Sequence, residues 1–230
     1  MHFYPFFDPT MILLVPAIII SFWAQSKINS AYSKYSQVRT INGYTGQQVA
    51  RMMLDEAGLF DVRIELINSK LGDHYDPTSK ILRLSPEVYS GGSISSAGIA
   101  AHEVGHALQH KERYAPLVIR NSIVPVVNIG SNVSWMLFFV GILLGFKGLT
   151  TLGIILFSGV VIFQLITLPV EFDASTRALN ILKSRGILYG DETKSAQKVL
   201  DAAAMTYVAA TLMAVSQLIR LIAISNRRND

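Results

Sequence analysis

Apolar residues recur in two rhythms along this chain. In four stretches they run on without interruption by charge: residues 9–26, 121–146, 148–170 and 202–219 contain no Asp, Glu, Lys or Arg. A helix needs about 18–20 such residues to cross a hydrocarbon core of roughly 30 Å, so each stretch predicts a spanning helix. The first, around Met11 to Trp23, has no Lys or Arg ahead of it and no small-x-small site after it, which argues against a cleaved signal peptide. The second begins with polar residues (Asn121, Ser122, Asn128, Ser131) and is interrupted by Pro125, while Leu149 to Val170 is plainly apolar. The turn signal Gly145-Phe146-Lys147-Gly148 between them makes 121–170 a helical hairpin. Gly141 and Gly145 stand four apart, a weak hint of a helix-packing face. The last stretch is rich in Ala and Thr, predicting a helix packed among others, and its full crossing is left open.

Elsewhere the rhythm is that of a small water-facing fold. Val49, Met52, Met53 and Ala57 share one face of a helix over Thr45–Ala57, with Thr45 as N-cap and Gly58 as stop. Alternation over Val62–Leu66 and again over Lys80–Ser85, with turn-rich Asp76–Ser79 between, predicts a small sheet of about three strands. A further helix follows, from near Ser95 to about His110. The expected fold class is therefore an integral membrane protein, mostly α with a small β-sheet (α+β) and about four transmembrane helices. Its expected parts are 1–26, an N-terminal anchor; 27–116, a catalytic part; 117–170, the hairpin; 171–201, a helix that opens with Glu171, Asp173 and Arg177 and ends at Gly186; and 202–230, a membrane-packed helix.

Composition agrees. Half of the 230 residues are hydrophobic and only 16% are charged, against about 25% in soluble domains. Mean hydropathy is +0.37. With no cysteine, thiol chemistry is excluded. The net charge of +4 is scattered, so no nucleic-acid partner is expected. Lys27, Lys34 and Arg39 follow the first span, Lys111, Arg113 and Arg120 precede the second, and Arg177, Lys183 and Arg185 follow the third. The positive-inside bias then puts these segments in the cytoplasm; Arg227 and Arg228 run against it.

The candidate chemistry lies in His102-Glu103-Val104-Gly105-His106. Residues four apart share a helix face at about 6 Å, so two imidazoles can hold one ion, and zinc suits imidazole with one position left open. A carboxylate beside the first ligand can take a proton from metal-activated water and pass it to a leaving amine. The plain alternative is a polar stripe on an amphipathic helix. His110 lies about 12 Å along the axis from His102, too far to share the ion, and reads as a surface or supporting residue. His74 falls in the loop before the strand at 80–85, where it is a turn residue, a group that orients substrate or, least favoured, a ligand. Glu171 is the candidate third ligand, because the hairpin returns the chain to the face it left; a carboxylate favouring a helix N-terminus is the competing reading.

Together with Gly72-Asp73-His74-Tyr75-Asp76-Pro77, Ile81-Leu82-Arg83-Leu84-Ser85 and Glu171-Phe172-Asp173-Ala174-Ser175, this motif resembles the YugP-like bacterial neutral zinc metallopeptidases over nearly the whole chain. More distantly it resembles the HtpX-type and CAAX-prenyl-protease membrane zinc peptidases. The resemblance implies a gluzincin-like zinc-helix core, one Zn2+ per chain held by His102, His106 and Glu171, and Glu103 as general base. It implies a multi-pass protein of the bacterial plasma membrane; a site just at the membrane surface, in turn, predicts peptide or protein substrates that are membrane-bound or membrane-proximal. It also implies that the strand at 80–85 is a sheet edge to which an extended substrate adds. Where the distant relatives carry Asp four residues after the ligand glutamate, this chain has Ser175, with Asp173 nearby. Tyr75, His74 and Arg177 are candidate oxyanion donors. The competing functions are a non-catalytic zinc-braced scaffold and an intramembrane-cleaving protease; Lys111, Glu112 and Arg113 beside the motif argue against the second.

Overall fold

The computed structural model describes residues 8–69 and 72–227; Arg228, one of the two basic residues that run against the charge bias, lies outside them. In chain order it contains a 3-10 helix at Pro9–Leu14, then α1 (Val15–Tyr35), α2 (Gly46–Glu56), β1 (Arg63–Leu66), β2 (His74–Asp76), β3 (Ile81–Leu84), α3 (Pro86–Tyr89), α4 (Ile94–Lys111), α5 (Ala115–Leu144), α6 (Lys147–Ser184) and α7 (Asp191–Arg227). The fold is mostly helical with one small mixed sheet, as the pattern of hydrophobic positions predicts. It divides into two units, one of residues 1–24, 119–168 and 206–230, the other of residues 25–118 and 169–205.

The first unit takes its helices from four segments long and apolar enough to cross a membrane: Pro9–Tyr35, Ala115–Leu144, Lys147–Ser184 and Asp191–Arg227. Its interior is a modest cluster of Phe138, Phe157, Val161, Ala214 and Leu221, flanked by Trp135. Most large side chains face outward, Phe22 and Leu143 being 74% and 83% exposed. Lipid is the solvent that makes such a surface stable. Pro125 lies inside a continuous α5 instead of interrupting it, as membrane helices permit. The paired-glycine hint fails. Gly145 is the positive-φ residue of the turn (φ +65°), so only Gly141 packs against α6, where a Cβ would stand 2.5 Å from the Thr150 amide nitrogen and 2.6 Å from its hydroxyl. A second close approach of α5 to α6 is at Gly153, against the backbone of Phe138 and Ser134. Arg220 of α7 donates to Asp8 (2.8 Å) and to the Thr10 hydroxyl (3.2 Å), so the start of the first span and the far part of the last lie together at one end of this unit.

In the second unit α2 starts where a capping box closes: the Thr45 hydroxyl accepts from the Gln48 amide (3.3 Å), and the Gln48 side chain accepts from the Thr45 amide (2.9 Å). The sheet order is β1-β3-β2, with β1 parallel and β2 antiparallel to β3. The strand at 80–85 is therefore the centre of the sheet, not its edge. Both of its hydrogen-bonding sides are taken, so no substrate strand can add there, and the outer edge beside it belongs to β2. His74 also lies in that strand, not in a loop. α4 is capped by Ser93, whose hydroxyl accepts from the Ser96 amide at 3.1 Å, and it is buried along most of its length. The core packs Val49, Met53 and Leu54 of α2 and Leu82 and Leu84 of β3 against Ala97, Ala100, Ala101, Val104 and Ala107 of α4 and Ala178 and Leu182 of α6. Small residues on α4 let its neighbours approach closely.

No separate helix begins at Glu171. α6 runs unbroken through Pro169 to Ser184, as helices leaving a membrane permit of a proline. Glu171 thus sits in mid-helix, and the reading that it serves a helix N-terminus is removed.

Candidate metal centre

His102 and His106, one turn apart on α4, meet Glu171 of α6. The His102 Nε2 lies 3.3 Å from Glu171 Oε2 and the His106 Nε2 3.7 Å from the same oxygen. The three donors fall within 4.8 Å of one another, in a largely buried setting. Three ligands on a tetrahedral zinc with bonds of about 2.0–2.1 Å would stand roughly 3.3 Å apart, so the two histidine-to-carboxylate distances come close to what that ion asks, and three ligands would leave a fourth position open.

A single missing Cβ allows the two helices to meet. A side chain at Gly105 would stand 2.5 Å from the Ala174 carbonyl oxygen and 3.0 Å from its Cα. The backbones of α4 and α6 touch between the two histidines' positions and the stretch that follows Glu171.

The outer nitrogens of both rings are held. His102 Nδ1 lies 3.0 Å from the Ser175 hydroxyl and His106 Nδ1 3.0 Å from Gln109 Oε1. The Gln109 amide nitrogen donates to the Val170 carbonyl (2.8 Å) and to Asp173 (2.8 Å). With both amide hydrogens so used, Gln109 presents its oxygen to His106. The Nδ1 of His106 must then carry the proton, and its Nε2 lone pair turns to the cluster. Asp173 accepts in turn from Arg177 Nε at 2.5 Å, and Arg177 reaches Glu112 at 2.5 Å and lies over the Tyr114 ring. Burial opposes charge on His106, yet the hydrogen bond to Glu171 and the charges of Glu103 and Glu171 outweigh it and push the ring's pKa above its ordinary value. The surroundings favour a positive charge at this point, whether proton or metal.

Glu103 is buried on the same helix, and its Oε2 accepts from the Tyr75 backbone amide of β2 at 3.0 Å. Tyr75 also bonds His110 Nδ1 through its hydroxyl at 2.9 Å. His110 is thus a supporting residue, as its distance along the helix predicts. Burial first, then Asp61 and Asp76, push the Tyr75 phenol up to about 12, so it stays neutral. His74 is exposed, beside the Gly72 carbonyl and Arg83, and takes no part in the cluster. Arg177 is committed to Asp173 and Glu112.

Sequence reasoning did not find Gln109, although an amide side chain three positions after His106 is a readable signal. Ser175 stood out as a departure, and it does occupy the place beside His102. The Tyr75 amide carries no sequence signal at all.

The fold and the site together describe a membrane-associated protein with a zinc-peptidase helix. Residues 10–226 match the family described as "putative neutral zinc metallopeptidase", and the chain belongs to that family. It is 52% identical over 212 residues to "Putative membrane protease YugP" of Bacillus subtilis (strain 168), covering 92% of this chain and 94% of the relative. No solved structure matches it.

Proposed function

We propose that the protein is a zinc-dependent endopeptidase of the bacterial plasma membrane, with His102, His106 and Glu171 holding one zinc ion and Glu103 as general base. The observation that carries this reading is the convergence of two oriented imidazoles and a carboxylate beside a buried glutamate that is not among them. Zinc, when bound, supplies Lewis acidity that brings the pKa of water to about 7 and polarises a carbonyl. The chain's own groups do the rest. Gln109 and Ser175 keep the imidazoles facing inward. The Tyr75 amide holds one oxygen of Glu103, leaving the other to take a proton from the attacking water and give it to the leaving nitrogen.

The basic flanks favour a cytoplasmic site, reached by membrane proteins or their juxtamembrane ends. The Arg220–Asp8 pair supports an even number of crossings, hence a last helix that spans; it also neutralises a charge that would otherwise oppose the bias.

The test is Glu103→Gln in purified full-length protein, with zinc content measured beside cleavage of a casein-type substrate. Zinc retained near one per chain and cleavage reduced about 10³-fold or more is the expected result. Cleavage at the wild-type rate by the pure variant overturns the mechanism. Zinc bound by a wild type that cleaves no substrate moves the scaffold reading to the front.

A further inference from the structure

β2 is three residues long and lies at the edge of the sheet, yet its middle residue reaches α4 twice. The Tyr75 amide donates to Glu103 Oε2 at 3.0 Å and its hydroxyl pairs with His110 Nδ1 at 2.9 Å. Glu103 and His110 are two helical turns apart, about 10.5 Å along the axis, so Tyr75 spans the catalytic stretch of α4. Its amide points away from β3, which makes its partner in the register, Leu82, a non-hydrogen-bonded one. The segment is fastened on either side by acids. Asp73 accepts from the Ser85 amide (2.7 Å) and hydroxyl (3.1 Å), and Asp76 accepts from the Thr78 amide (2.9 Å) and the Ser79 hydroxyl (2.5 Å).

We propose that Gly72–Ser79 is a positioning arm for the general base: the Tyr75 hydroxyl, latched on His110, fixes the Tyr75 amide where it aims the carboxylate of Glu103. Tyr75 is a positioning residue that acts through Glu103, not an oxyanion donor, since its hydroxyl is spent on His110. Three features favour this over a merely structural contact. The bonds come from one residue, they land on the two ends of one helix face, and the donor to Glu103 is a main-chain group, whose place follows from how the segment that carries it is held. This inference rests on the peptidase reading for its kinetic consequence but not for its geometry.

Two measurements on the full-length protein in detergent separate the possibilities. The first needs no substrate: hydrogen–deuterium exchange of the peptide covering 72–79. Glu103→Ala and Tyr75→Phe should each speed its exchange at least threefold, with zinc content unchanged in Tyr75→Phe. Exchange at the wild-type rate in both overturns the arm. The second is kinetic. Tyr75→Phe and His110→Ala should each lower kcat about tenfold with KM unchanged, because a loosened carboxylate still lets substrate bind but meets the reacting water in fewer encounters. The double variant should be no slower than either single one, since both break one latch. Losses that multiply in the double variant, or losses carried by KM with kcat unchanged, overturn the proposal. A wild type that cleaves nothing refutes the peptidase reading, and the exchange result then decides the arm by itself.

Discussion

Residues 25–118 and 169–205 form an interior of leucines, valines and alanines that also encloses polar groups: Gln109, Glu103 and Ser175 are buried and hydrogen-bonded. The unit of residues 1–24, 119–168 and 206–230 does the reverse. It buries few side chains, Phe138, Phe157 and Leu221 among them, and it turns Phe22, Leu143 and their like outward. One unit buries polar groups where two helix backbones approach closely; the other has a solvent that rewards apolar exposure. The same residue type, glycine, therefore does different work in the two. At Gly105 it lets His102 and His106 meet Glu171, and at Gly153 it only seats one span on another.

Removing a ligand should separate the two units most sharply. Structural zinc sites are worth about 10–16 kcal/mol, so each of three or four ligands carries roughly 3–4 kcal/mol. Glu171→Ala should weaken zinc binding about 300-fold or more, read by competition with a chromophoric chelator. Unchanged affinity would remove α6 from the site. Gly105→Ala comes next. Its Cβ would meet Ala174 backbone at 2.5 Å, so α4 and α6 must part. Zinc affinity should fall at least tenfold and stability by about 1–3 kcal/mol, seen by metal titration and thermal unfolding.

How much of this was readable differs between the units for a physical reason. Membrane spans announce themselves, because a chain that stays in water rarely runs for about 20 residues without a charge. Three of the four helices extend well past those runs, since charged residues can continue a helix once it has left lipid. The His102–His106 pair is readable because helical spacing is local. The meeting with Glu171 is not local: it depends on a close approach 60–70 residues away in sequence, which only topology suggested. The central place of β3 was hidden for a similar reason. β2 has three residues, too few for alternation to mark, and without it β3 looks like an edge.

The supporting residues should matter less than the ligands. Gln109→Ala removes the acceptor that fixes the His106 tautomer, and should weaken zinc binding about 10–100-fold while leaving one zinc per chain at saturation. Acid acts through the same ring. The raised pKa of His106 means that protons compete with metal from above 6.5, so zinc affinity should fall as pH drops through that range. The zinc-free protein has the opposite sign: the stabilisation from protonated His106 is fully present below 6.5 and is lost as pH rises through the folded pKa. Thermal unfolding at pH 6 and pH 8, with zinc and with chelator, should therefore show opposite slopes; slopes of the same sign would contradict the assignment of His106.

The smallest effects should come from the membrane unit, and a pair of glycines in α6 tests why. A side chain at Gly153 would stand 2.8 Å from the Phe138 amide nitrogen and from the Ser134 carbonyl oxygen, whereas one at Gly159 would meet nothing within 4 Å. Gly153→Ala should lower the unfolding temperature in detergent, in keeping with about 1–3 kcal/mol of overpacking, and should leave zinc content unchanged. Gly159→Ala should change neither, within about 0.5 kcal/mol, since it adds a methyl group to a surface that already faces a solvent suited to it. If Gly153→Ala released zinc, strain in the spans would be reaching the ligands, and the division of labour between the two units would be wrong. If Gly159→Ala destabilised the protein as much as Gly153→Ala, helix contact would not be what distinguishes the two positions.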